Sequence, residues 1–276
     1  MKKYLLHRND FSRSEIASVV DELSFWSSRF GLLLFNNIGI RRDIKILDLA
    51  CGVGFPLFEL AHVFGQSCHV TGIDIWKEGL NRARWKQREY NLSNVTIVEA
   101  DGVKQPFRDS EFDLIVSNLG INNFSDPQEV LAETFRVARP GATIALTTNV
   151  NGHMKEFYDI YREMLSGNRE YLERLRINEE HRGTKETISH MLKRAGFIVV
   201  KVVEDSFVMR YQDGSALFNH SLTKIGFLDG WKSVVNPDDM PGIFEKLEEK
   251  LNDIAKKNGE LRMTIPMLYI EGKKPE

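Results

Sequence analysis

The apolar residues change their period several times along the chain, and each change predicts an element. Ile16, Val19, Val20 and Leu23 recur at helical spacing behind Ser12-Arg13-Ser14-Glu15, which has the spacing of a capping box. A second helix is predicted over 26–37. The β-branched run Ile44-Lys45-Ile46-Leu47-Asp48-Leu49 follows and ends in a glycine turn. Pro56 stands where a helix can begin at no cost in hydrogen bonds, and Leu57, Leu60, Ala61 and Phe64 supply its buried face. Further strands are predicted over 69–73, 95–99, 112–117 and 142–148. Helices over 77–90 and from Asp126-Pro127 onward separate them, and Arg139-Pro140-Gly141 reads as a turn.

Strand and helix therefore alternate, and the strands are apolar throughout rather than at every second position. That is the pattern of a parallel sheet covered on both faces, an α/β fold. Such sheets bind ligands beyond the carboxyl ends of their strands, beside the first strand. After residue 150 the alternation loosens. Helices are predicted over 153–165 and 184–195, then a strand over 197–203, continued by 206–211. An insertion over 212–260 precedes a final strand over 263–272, as in a sheet edge with a cap.

Bulk properties narrow the classes. A chain of 276 residues accommodates one large α/β domain or two small ones. Lys+Arg number 37 against 39 Asp+Glu, so no overall field favours nucleic acid or an anionic membrane. No run approaches the roughly 20 apolar residues that span a bilayer. The opening Met1-Lys2-Lys3-Tyr4-Leu5-Leu6 is cut short by His7-Arg8-Asn9-Asp10, so no secretory leader is expected and a cytoplasmic location is. Cys51 and Cys68, the 2 cysteines, suggest neither a disulfide framework nor a zinc site. The histidines form no ligand spacing, so no metal is expected.

The candidate chemistry centres on Leu47-Asp48-Leu49-Ala50-Cys51-Gly52-Val53-Gly54-Phe55. Glycines at a strand-to-helix turn let a ligand approach the backbone, and the amides of the following helix attract negative charge. A dinucleotide fingerprint would need a third glycine at position 57, which is Leu57. That disfavours a nicotinamide-dependent oxidoreductase. Asp74 and Asp101-Gly102 stand at the ends of the second and third strands, and Ser117-Asn118-Leu119-Gly120 at the end of the fourth. Three acids at successive strand ends favour a ligand site over ordinary helix capping.

This constellation resembles the class I S-adenosylmethionine-dependent methyltransferases, in particular the small-molecule family that includes the ubiquinone/menaquinone C-methyltransferases. Asp48, Gly52 and Gly54 match its acid-x-Gly-x-Gly-x-Gly pattern, with Ala50 in place of the first glycine. The resemblance implies a Rossmann-like three-layer sandwich, with seven strands, mostly parallel, and an antiparallel final strand. It implies that Asp74 binds the ribose hydroxyls and that Asp101 contacts the adenine amino group. Ile75 and Trp76 are candidates to sandwich the adenine. Cys51, Gly102, Asn118 and Leu119 fall beside the donor, as do Trp26 and Phe30 of the N-terminal arm. The implied cofactor is S-adenosylmethionine, the product S-adenosylhomocysteine, and the partner a small-molecule acceptor. The Pro-Pro-Tyr/Phe motif of adenine-N6 DNA methyltransferases is absent after the fourth strand, which argues against nucleic acid.

On this basis the chain is expected to be one methyltransferase domain over 1–276. Residues 1–43 are the arm, 44–150 the cofactor-binding core, 151–211 helices and the late strand, 212–260 the cap and 261–276 the final strand. His153, just past the fifth strand, is the candidate general base; a structural histidine would look the same. Phe218, Phe227 and Trp231 of the insertion are candidate acceptor contacts, which points to an apolar or aromatic acceptor. A module that binds the donor without catalysis is the alternative.

Overall fold

The computed structural model describes residues 2–276; Met1, which opens the segment weighed above as a leader, lies outside them. Backbone contacts divide the chain into two units. The larger comprises Phe11–Thr148, Thr184–Glu204 and Met267–Glu276. Its helices are α1 (Ser14–Glu22), α2 (Ser24–Phe35), α3 (Leu57–Phe64), α4 (Lys77–Glu89) and α5 (Pro127–Val137). Its strands are β1 (Lys45–Leu49), β2 (His69–Asp74), β3 (Val95–Glu99) and β4 (Phe112–Asn118), followed by β5 (Ala138–Asn149). Next in the chain come α6 (Lys155–Met164), α7 (Arg169–Glu180) and α8 (Lys185–Arg194), the last of these in the larger unit. The strands β6 (Ile198–Tyr211) and β7 (Leu261–Lys273) complete a seven-stranded sheet of order β3-β2-β1-β4-β5-β7-β6.

β1 pairs in parallel with both β2 and β4, β2 with β3, and β4 with β5. β7 runs the other way. The Gly141 amide donates to the Lys274 carbonyl and the Lys274 amide to Ala142, while Val150 donates to Pro266, so residue numbers rise on one strand as they fall on the other. The sheet is thus mostly parallel, with helices on both faces and an antiparallel ending, as the resemblance implies. Its core is the apolar strand set: Ile46, Leu47, Ile115, Val116, Ile144 and Ala145 are fully buried. The order reverses between β1 and β4, and the crevice beyond their carboxyl ends is the place where such a sheet accepts a ligand.

Some local expectations change. α1 begins after Arg13, whose own side chain makes no capping bond. Arg139-Pro140-Gly141 is not a turn between elements but an irregular stretch inside β5. Phe112 pairs with Ala138 and Leu114 with Thr143, so the ladder absorbs the extra residues there and Gly141 takes φ 73°. The late strand is one continuous element rather than two. On α4, Lys86 is buried. It donates to Asp21 of α1 at 2.6 Å, and Arg82 reaches the same carboxylate at 3.0 Å.

The smaller unit comprises Met1–Asp10, Asn149–Gly183 and Asp205–Pro266. Besides α6 and α7 it holds α9 (Gly214–Asn219), α10 (Ser221–Gly226), α11 (Leu228–Lys232) and α12 (Met240–Asn258). Its core is aromatic. Phe157 stacks on Trp231 with ring centroids 4.0 Å apart, and Tyr4 stacks on Phe218 at 4.8 Å while its hydroxyl donates to the buried Glu248. The helix α7, which the sequence reading missed, begins at Asn168, whose side chain accepts from the Glu170 and Tyr171 amides.

Candidate functional site

The loop after β1 is built to bring backbone, not side chains, toward a ligand. Ala50, Gly52 and Gly54 all take left-handed φ, at 65°, 50° and 105°. A side chain at Gly52 would meet nothing within 4 Å, so that position fronts open space. Ala50 holds the same conformation at a cost of about 1 kcal/mol that a glycine would not incur. Leu119, at the end of the neighbouring β4, is also left-handed, at 68°. Strain at two adjacent strand ends is a mark of a functional rim.

Two carboxylates meet beneath this loop. Asp74, at the end of β2, accepts from the Gly52 amide and from the Trp76 amide, each at 2.8 Å, and so ties the second strand to the glycine loop. Asp48, on β1, is fully buried, and neither of its oxygens has a hydrogen-bond partner among the described residues. Burial and then the charge of Asp74 push its pKa well above the usual carboxylate range; the Leu57 amide is near enough to oppose this in part but closes no regular hydrogen bond with it. A buried carboxylate without donors costs free energy in the ligand-free chain. This is the chemistry of a group that awaits a cation or hydrogen-bond donors. The open front of Gly52 and the unmet demand of Asp48 both fit a ligand that combines a positive charge with hydroxyl groups.

The other expected residues divide by environment. Cys51 is buried, donates its amide to the Ile73 carbonyl at 3.0 Å, and has its thiol pKa pushed up by burial and by both aspartates, so it serves the packing of the loop. Asp101 is exposed and closes an Asx turn on the Val103 amide at 3.1 Å; Gly102 follows it. Ile75 is 69% exposed, whereas Trp76 is engaged: its Nε1 donates to the Phe11 carbonyl at 2.8 Å and its ring meets that of Phe11 edge-on. Asn118 is buried, accepts from Thr147 Oγ1 at 2.7 Å and donates to the Ser27 carbonyl of α2 at 3.2 Å. Trp26 and Phe30 contact each other on α2 at 5.3 Å, with Phe30 fully buried. The structure therefore brings Asp48, Ala50, Gly52, Gly54 and Asp74 together at adjacent strand ends, with Asp74 hydrogen-bonded to the loop and the Asp48 carboxylate not. It joins Asn118 to the helical arm.

His153 lies in the smaller unit. It is buried, its ring stands 5.4 Å from Tyr158 and 5.8 Å from Phe227, and its Nε2 has no partner among the described residues. Burial and then Arg182 lower its pKa to about 3. Phe218, Phe227 and Trp231 are buried against one another and against Phe157, so in this state they form the core of that unit. A cavity of about 730 Å³ is also there, on a surface of paired arginines and glutamates from α6 and α7 that includes Arg162, Arg176 and Glu179. It has none of the unmet demand that marks the glycine loop, and we take the loop as the site.

Sequence reasoning missed Gly72. A side chain at this residue of β2 would lie 2.9 Å from the Cys51 sulfur and 2.7 Å from Leu57, so its absence lets the loop seat against the sheet. A lone glycine inside an apolar strand was the available signal. Thr147, which orients Asn118, had no such signal.

A β3-β2-β1-β4-β5-β7-β6 sheet with a glycine loop at its switch point is a Rossmann-like α/β sandwich. The chain matches, over residues 40–196, the family described as a methyltransferase domain, and it belongs to that family. It is 35% identical over 127 residues to a ubiquinone/menaquinone biosynthesis C-methyltransferase of Psychromonas ingrahamii; the match covers 45% of this chain and about half, 51%, of that protein. Against a demethylmenaquinone methyltransferase of Staphylococcus aureus the identity is 29% over 180 residues, covering 61% of this chain and 74% of the relative. In fold it resembles the crystal structure of the YcgJ protein from Bacillus subtilis, with TM-score 0.59 and 16% identity over 90% of this chain and 98% of that one. The chain is thus a class I methyltransferase of the S-adenosylmethionine-dependent kind. Among the described residues no helix is long and apolar enough to cross a membrane.

Proposed function

We propose that this chain transfers a methyl group from S-adenosylmethionine to a small aromatic or otherwise apolar acceptor, of the quinol type that its relatives' names indicate, in the cytoplasm. The observation that carries the donor half is the pairing of the Gly52 opening with the unsatisfied Asp48 carboxylate. The donor supplies a sulfonium methyl, which leaves a neutral thioether behind. The protein's task is then to hold, align and exclude water. Asp48 supplies negative charge to the cationic end of the donor. Asp74 keeps the loop in register through Gly52 and offers its remaining lone pairs to the ribose hydroxyls. Asp101, Gly102 and the exposed Ile75 would border the adenine of a bound donor, and Trp76 holds the Phe11 segment. Asn118, Leu119, Trp26 and Phe30 bound the donor from β4 and α2. Cys51 packs behind.

The acceptor's attacking atom forms a bond to the methyl carbon as the carbon–sulfur bond breaks, with the electron pair left on sulfur. His153 is assigned no proton transfer in this scheme. A ring whose conjugate acid forms only near pH 3 is too weak a base to drive abstraction from an ordinary acceptor. Activation rests instead on desolvation of the acceptor. Residues 212–260 fall outside the matched family region, and we assign the choice of acceptor to them. The test is turnover with methyl-labelled donor across a panel of quinols, phenols and aliphatic alcohols. Label entering only aliphatic alcohols would overturn the acceptor class, and no binding of S-adenosylhomocysteine would overturn the donor.

A further inference from the structure

The outer edge of β6 is the least protected margin of the sheet. β6 is last in the strand order and pairs with β7 alone, so one row of its backbone amides and carbonyls faces away from the ladder. It is 14 residues long and contains neither proline nor glycine, the devices that ordinarily blunt such an edge. Its apolar side chains are open: Ile198 is 57% exposed, Val200 49%, Val202 38% and Val208 37%. Yet the strand also carries charge at three central positions, Lys201, Glu204 and Asp205, and their arrangement selects a partner.

We infer that β6 pairs antiparallel with β6 of a second copy of this chain, about a two-fold axis at Val203. In an antiparallel pair the residues directly opposite share a face. A two-fold axis through the sheet must therefore place one residue opposite its own copy, and only the choice of that residue remains. With Val203 at the axis, Lys201 faces Asp205, Val199 faces Phe207 and Ile198 faces Val208. Val200 then faces Ser206 and Val202 faces Glu204, whose carboxylate keeps Lys185 of its own chain at 2.7 Å, while two symmetry-related Lys201–Asp205 pairs bridge the axis. Moving the axis to Val202 sets Val199 against Asp205 and Lys201 against Val203. At Glu204 it opposes two carboxylates and puts Lys201 on Phe207; at Lys201 it opposes two ammonium groups. A centre at Val200 shortens the ladder to residues 198–202. Only a centre at Val203 sets Lys201 opposite a carboxylate, and it does so twice, as the self-complementarity of an isologous interface requires.

Lys201 can take part. It is exposed and gives one hydrogen to the Asn37 carbonyl at 3.2 Å, which leaves two donors for a carboxylate across the axis. Asp205 is exposed as well. The pairing joins the two sheets into one, adds about ten main-chain hydrogen bonds across 198–208, and covers the exposed valines of the edge.

The test is sedimentation velocity of the full chain over a concentration series, with charge reversals. The wild type sediments as a dimer at tens of micromolar. Lys201→Glu, which sets two like-charged pairs across the axis, weakens dimerisation roughly tenfold or more, and Asp205→Lys does the same. The double reversal Lys201→Glu/Asp205→Lys restores it. Both positions are exposed, so circular dichroism and thermal midpoints of all three variants match the wild type. A monomeric wild type overturns the proposal. So does a dimer indifferent to the single reversals, or a double variant that stays weak, since either places the contact elsewhere or in another register.

Discussion

Asp48→Asn changes one buried group from a carboxyl that can ionise to an amide that cannot, with little change in volume. In the ligand-free chain Asp48 is fully buried, its oxygens have no partners among the described residues, and Asp74 repels its charge. Its folded pKa lies above the unfolded one, so ionisation favours the unfolded chain. The wild type is least penalised below about pH 4, where both states are protonated. Stability is then lost as pH rises from there toward the folded pKa. Leaving a buried polar group unmade costs about 1–3 kcal/mol, more when charged. At neutral pH, Asp48→Asn is therefore expected to stabilise the ligand-free chain by about that amount, or about 2–12 °C in Tm for a chain of this size. The gain shrinks toward pH 4. Saturating S-adenosylhomocysteine reverses the order, because a ligand at a hundred times its Kd adds about 2.7 kcal/mol to whichever protein binds it. Thermal unfolding at pH 5 and pH 7.5, with and without that ligand, gives all four numbers. A ligand-free Asp48→Asn that melts below the wild type at pH 7.5, or one that binds the ligand as tightly, refutes the reasoning.

Asp74→Ala removes the acceptor for the Gly52 and Trp76 amides together with the proposed ribose contact. Calorimetry is expected to show S-adenosylhomocysteine binding weaker by one to a few kcal/mol, about 5- to 100-fold. Gly52→Val places a branched side chain into the open front at a left-handed φ. It is expected to abolish donor binding while circular dichroism still reports the folded sheet. His153 carries a depressed pKa, so its contribution is present above the unfolded value of about 6.5 and is lost as pH falls from there toward 3, at about 1.4 kcal/mol per unit. His153→Phe should flatten that acid limb in urea titrations between pH 7 and pH 4.5; an unchanged limb would mean that the ring is hydrated. The same variant is expected to keep most of its kcat, which separates a structural histidine from a base.

Much of the larger unit was legible because its signals are local. Strand ends carry their acids at the places where the chain leaves the sheet, so Asp48, Asp74 and Asp101 could be placed from periodicity alone. The glycine pattern located the loop for the same reason. What escaped depends on neighbours distant in sequence. Nothing near Gly72 says that Cys51 and Leu57 will press on it, and nothing near Lys86 says that Asp21 will draw it into a buried pair. The Pro-Gly turn before β5 became a bulge because the ladder with β4 continues past it.

By itself the sequence determined the α/β alternation, the order of the donor motif and the absence of a third glycine, since each follows from period and residue type within a few turns of chain. Only the tertiary structure decided which carboxylate is satisfied and which is not. Asp74 accepts from two amides at 2.8 Å, while Asp48, on the adjacent strand, closes no regular hydrogen bond among the described residues. It likewise decided that His153 is shut away among aromatic rings. Solvation and pairing are set by what folds against a residue, and that information is spread over the whole chain.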